Sequence, residues 1–81
     1  EREFEADYFK LYPNPTNKGH VNIISNTDEI KKVIVFDVLG QRVISRTLTS
    51  GILNISELHS GIYFVKIENG QASLTKKLVV H

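Results

Sequence analysis

Residues 62–80 read I-Y-F-V-K-I-E-N-G-Q-A-S-L-T-K-K-L-V-V, and the fold is decided there. Two apolar runs rich in β-branched residues flank Asn69-Gly70. A type I′ turn needs positive φ at both central positions, and Asn-Gly accepts that most readily, so the pair is a strong local hairpin signal. Side chains alternate between the faces of a strand. That places Tyr63, Val65 and Ile67 on one side of a strand Ile62–Glu68. Leu74, Leu78 and Val80 fall on one side of a partner Ala72–Val80.

The same pattern continues toward the N-terminus. Short segments bounded by Gly, Asn, Asp, Ser and Pro predict strands at Phe9–Tyr12, His20–Ser25, Lys32–Val38, Arg42–Thr49 and Leu53–Ile55. No stretch holds a 3.6-residue apolar stripe long enough for a normal helix. Asp37-Val38-Leu39-Gly40 fits a type I turn, with Asp bonding backbone N–H groups ahead of it and Gly supplying a left-handed residue. Residues 56–61 have room for one helical or 3₁₀ turn, with Ser56 capping it and Gly61 stopping it. The expected core comprises Val21, Ile23, Val43, Leu53, Ile55, Tyr63, Val65, Ile67, Leu74, Leu78 and Val80. To these is added either Ile34, Phe36 and Val38 or their alternates. The run around Val33–Val38 is apolar throughout, which fits a central strand covered on both sides and leaves its parity open. Many short strands at regular spacing predict an all-β sandwich; strand order is not readable.

Composition narrows the function. With 81 residues, the chain holds one domain at most, burying somewhat over ~60% of the surface its unfolded form exposes. Apolar residues make up 41% and charged residues 23%, as in ordinary folded proteins. A net charge of +1 supplies no general pull toward nucleic acid or anionic membrane. No apolar run approaches the ~20 residues of a membrane helix. Cysteine is absent, which excludes disulfides and thiolate metal sites. The chain starts at Glu1 and shows no signal peptide, so it is read as a piece of a longer protein.

Little chemistry is visible. His20, His59 and His81 are far apart, and none stands at a metal-ligand spacing from another. Asp28-Glu29 and Asp37 lie in turns, where backbone bonding accounts for them. No nucleophile elbow, phosphate loop or dinucleotide fingerprint occurs. Asn54-Ile55-Ser56 matches a glycosylation sequon, but Asn54 sits between two core positions. Lys76-Lys77 reads either as a small recognition spot or as edge protection. These residues point to a small β-sandwich serving interaction or targeting, with no catalytic, cofactor-binding or metal residue.

The lead-in Y-P-N-P-T-N-K-G, residues 12–19, contains Pro13 and Pro15. Each proline fixes its own φ, lacks an N–H and pushes its predecessor toward extended geometry. A stiff segment that cannot join a central strand therefore stands near the start of the domain.

Taken in order, the motifs are Tyr12-Pro13-Asn14-Pro15-Thr16, Val35-Phe36-Asp37-Val38-Leu39-Gly40-Gln41-Arg42-Val43 and Leu53-Asn54-Ile55-Ser56-Glu57-Leu58. Ser60-Gly61-Ile62-Tyr63-Phe64-Val65-Lys66-Ile67 and Lys76-Lys77-Leu78-Val79-Val80 complete the series. Each alone is weak; together they closely resemble the C-terminal sorting domain (type A, Por secretion tail) of cargo proteins exported by the type IX secretion system of Bacteroidetes. The resemblance covers about residues 9–81.

It implies a seven-stranded, Ig-like antiparallel β-sandwich at the end of a cargo protein. Residues 1–8 would be an acidic linker to an upstream cargo domain, and residues 9–81 the sorting domain. The implied function is a signal recognised by the outer-membrane translocon. A sortase-like cysteine peptidase at the cell surface would then remove it and join the cargo to lipopolysaccharide. The cargo would pass through the periplasm to the cell surface or medium, without membrane insertion by the domain, nucleic-acid binding or a cofactor. Lys77, Leu78 and Val80 match the terminal K-L-x-V of the family, and Lys76, Lys77, Leu78, Val79 and Val80 together are the candidates for translocon recognition, through strand addition to a partner's sheet. Pro13, Asn14, Pro15, Asp37, Gly40, Gly61, Tyr63, Asn69 and Gly70 become structural positions. Tyr63 is expected to bond its hydroxyl near the preceding loop, like a tyrosine corner. The stiff lead-in is expected to keep the linker open to a protease. The competing reading is an Ig- or fibronectin-III-like adhesive or spacer module. It shares the fold, and only a sorting domain must sit at the natural C-terminus.

Overall fold

The computed structural model describes residues 9–25, 31–49, 51–69 and 72–81. Its strands are β1 (Phe9–Tyr12), β2 (His20–Ser25), β3 (Lys31–Phe36), β4 (Arg42–Leu48), β5 (Ile52–Asn54), β6 (Gly61–Asn69) and β7 (Ala72–Val80). They form two sheets, ordered β1-β2-β5 and β4-β3-β6-β7, with antiparallel pairing throughout. This is an Ig-like sandwich. The chain changes sheets between β2 and β3, β4 and β5, and β5 and β6, so the inner faces of both sheets close on one core.

Phe9, Leu11, Val21, Ile23, Leu53 and Ile55 enter the core from the smaller sheet and its flanks; Val33, Val35, Ile44, Tyr63, Val65, Ile67, Leu78 and Val80 enter from the larger. Val33 lies opposite Ile67, and Val35 opposite Val65. That register settles the parity of β3 in favour of the alternates. Ile34 is buried on the other face, Phe36 is partly exposed and Val38 is 66% exposed in the turn. β3 ends at Phe36 because Asp37 opens the turn, where its N–H donates to the Gln41 carbonyl. The β3–β4 register shifts between Val35 and Phe36. After that shift Ile44 is the fully buried residue of β4, and Val43 packs against the core only in part, as does Leu74. Phe9 and Leu11 join the core although only their strand, not their burial, is evident from the sequence.

The turns carry the strand ends. Asp37 Oδ1 accepts from the Leu39 and Gln41 N–H groups, the Gly40 N–H donates to the Asp37 carbonyl, and Gly40 has φ +84°. Residues 56–61 form no helical turn. A β-turn closes instead through Leu58 N–H to the Ile55 carbonyl, and Asn54 Oδ1, not Ser56, takes the capping role by accepting from the Ser56 N–H and Oγ. Asn69 pairs with Ala72; Gly70, and with it the type I′ assignment of the hairpin, lies outside the described residues, as do Asp28-Glu29 and residues 1–8.

Candidate functional site

β7 is an edge strand of the larger sheet, on the side opposite β4, and it presents three different surfaces. Its inner parity supplies Leu78, fully buried opposite Tyr63, and Val80, buried opposite Gly61. Its outer parity supplies Lys77, exposed opposite Phe64, and Val79, half-buried opposite Ile62. Lys76 has inner parity but stands at the rim, where its ammonium lies 5.8 Å from the centre of the Phe9 ring, within reach of a cation–π contact. The terminal motif residues are thus adjacent, yet they divide between the core, the outer face and the rim.

The third surface is the free edge, and the Pro-Asn-Pro segment covers its last part. Asn14 Nδ2 donates to the Lys77 carbonyl at 2.8 Å, and Asn14 Oδ1 accepts from the Val79 N–H at 3.0 Å. One side-chain amide thus bonds the strand as a neighbouring backbone would. The backbone then takes over: Thr16 N–H donates to the Val79 carbonyl at 2.9 Å, and His81 N–H donates to the Thr16 carbonyl at 2.8 Å, making a parallel bridge between Thr16 and Val80. Both prolines follow cis peptide bonds, Tyr12-Pro13 and Asn14-Pro15. Neither proline can donate, so the contact is made by the residues between and after them. Thr16 anchors the segment. It is 1% exposed, its Oγ1 donates to the His20 carbonyl, and the Lys18 N–H donates to the same hydroxyl. Sequence reasoning did not single out Thr16. Its one visible sign is a small hydroxyl residue directly after the second proline.

The other motif residues are structural neighbours of this strand. Tyr63 is buried, and its hydroxyl donates to the His59 carbonyl at 2.8 Å, four residues back, as a tyrosine corner does. Beside it opens a hollow of about 300 Å³ lined by Asp37, Val43, Glu57, Leu58, His59 and Tyr63. Its carboxylates are already engaged. Asp37 holds its turn, and Glu57 pairs with Arg46 at 3.5 Å. Among the described residues no group of three or more His, Asp or Glu stands together as a metal site would require, and no helix is long and apolar enough to cross a membrane.

Compared with known families, the chain matches the secretion system C-terminal sorting domain over residues 10–81. No match is found among curated proteins.

Proposed function

The chain belongs to the family of secretion system C-terminal sorting domains, and on that premise we propose that residues 9–81 act as the export signal of a type IX cargo protein. The family implies attachment to a cargo, recognition by the type IX machinery, and export to the cell surface or medium. The finer steps are our reading. Residues 1–8, with acids at Glu1, Glu3, Glu5 and Asp7, link the domain to the cargo. The cargo crosses the periplasm, the outer-membrane translocon recognises the folded domain, and a surface cysteine peptidase cuts in or before the linker, transferring the cargo to lipopolysaccharide. The domain itself performs no chemistry. Its part is to present a stable, recognisable surface around β7.

The observation that carries this reading is the family match over nearly the whole chain. The latched C-terminal strand supports it. Lys77 and Val79 are held in one geometry by Asn14 and Thr16, and a fixed geometry lowers the entropy a receptor must overcome.

A graft tests it. Residues 1–81 are fused behind a Sec signal and a fluorescent reporter, expressed in a type IX-competent bacterium, and compared with a copy lacking residues 76–81. Export of the intact fusion alone supports a signal read through the last strand. Retention of both in the periplasm, with the intact domain folded, favours the adhesive or spacer module.

A further inference from the structure

A solvent-facing side of an antiparallel sheet normally alternates to polar residues. One end of the outer face of the larger sheet does not. Phe36 lies opposite Phe64, and Ile62 opposite Val79. All four have the parity that points away from the core, since Val35, Tyr63, Val65, Leu78 and Val80 belong to it. Ile62 is 44% and Phe64 38% exposed; Phe36 and Val79 are half-buried. Ile34, next along β3, is buried on this side without joining the core cluster, and it floors the strip. Directly opposed aromatics on one sheet face have Cβ atoms about 5 Å apart, so Phe36 and Phe64 form one continuous apolar surface.

Charge surrounds the strip unevenly. Lys66 lies opposite Ile34, Lys77 opposite Phe64, and Lys32 opposite Glu68. The only acid among these rim positions, Glu68, is already paired with Lys66 at 3.4 Å. We propose that this strip is a docking face for a protein of the export apparatus whose contact surface is apolar at its centre and acidic at its rim. The inference rests on the export reading and adds the face and the chemistry of its partner. Buried interface centres favour aromatics ringed by polar residues. A second copy of the chain is a poorer occupant, because face-to-face pairing sets lysines against lysines.

The test uses the same fusion of residues 1–81. One variant carries Phe64→Ser with Ile62→Ser, a second carries Lys66→Glu, and a control carries Ile24→Ser on the outer face of the smaller sheet, where Ile24 is 43% exposed. A thermal melt checks that each folds. The expected result is an exported fraction about tenfold lower for the double variant, as loss of a central interface anchor gives. A smaller loss is expected for Lys66→Glu, with recovery in Lys66→Arg and wild-type export of the control. Should the double variant fail to fold, the rim reversal at Lys66 decides alone. Wild-type export of both strip variants overturns the docking face and leaves the export reading intact. Retention of the unmodified fusion overturns the export reading, and the docking face with it. Sedimentation of the purified domain supplies the remaining check: a dimer that Phe64→Ser dissolves would make the strip a self-association face, against the proposal.

Discussion

Replacing Asn14 probes the latch on the terminal strand directly. Asn14→Ala removes the donor to the Lys77 carbonyl and the acceptor of the Val79 N–H. A neutral intramolecular hydrogen bond contributes about 0.5–1.5 kcal/mol net, so two bonds set a range of about 1–3 kcal/mol. Asn14 is exposed, so water replaces part of the loss and the lower half of that range, about 1–2 kcal/mol, is expected. For a domain of this size each kcal/mol lowers Tm by about 4–8 °C. Asn14→Asp separates the two bonds. Its carboxylate still accepts from Val79, but it turns an acceptor toward the Lys77 carbonyl. Thermal melts give the totals, and amide hydrogen exchange at Val79 assigns them: faster exchange in Asn14→Ala, retained protection in Asn14→Asp. Unchanged Val79 protection in Asn14→Ala, or a melt within 1 °C of wild type, would refute the latch.

Four further substitutions test other features of the fold. Leu78→Ala empties a fully buried site opposite Tyr63 and should cost about 2–5 kcal/mol in denaturant unfolding; a loss under about 1 kcal/mol would mean that the site collapses freely. Tyr63→Phe deletes the bond to the His59 carbonyl while keeping the packing, so a loss of about 1 kcal/mol is expected, and full wild-type stability would deny the corner any role. Gly51→Ala places a methyl 2.9 Å from the Ile23 carbonyl oxygen, a backbone atom, and should cost about 1–3 kcal/mol. Gly40→Ala meets open space and should lose only the roughly 1–2 kcal/mol of a left-handed residue. The comparison separates crowding from backbone strain.

What the sequence reveals follows the range of the interactions. β6 and β7 are legible because Asn69-Gly70 and alternating runs specify them locally. So is the Asp37–Gly40 turn, whose bonds span at most four residues. The inward parity of β3 is not legible. K-K-V-I-V-F is apolar at four successive positions, and only the register against Ile67 and Val65 selects Val33 and Val35. Ile44 displaces Val43 as the main core residue of β4 because a register shift opposite Val35 and Phe36 rephases the strand, and no residue type announces that shift. The latch is the least legible feature. The proline spacing shows stiffness, but the atoms that Asn14 bonds lie 63 and 65 residues away.

That latch also separates two ways in which β7 can be read. Backbone groups of an edge strand alternate between facing the ladder and facing outward. On β7 the outward groups at Lys77, Val79 and His81 already bond Asn14 and Thr16. The next outward positions toward the hairpin are Ser73 and Thr75. A receptor that adds a strand along Lys76–Val80 must therefore first displace the Pro-Asn-Pro segment. A receptor that reads side chains on the outer face meets Lys77 and Val79 with the segment in place. The two modes respond oppositely to Asn14→Ala in the export assay, provided the variant stays folded. Strand addition gains from a weakened competitor, by up to the factor of about ten that 1.4 kcal/mol represents. Side-chain reading gains nothing and loses what the looser strand costs in order. Faster export of Asn14→Ala than of wild type would establish strand addition and count against the docking face. Equal or slower export, with Phe64→Ser impaired, would place recognition on the face of the sheet.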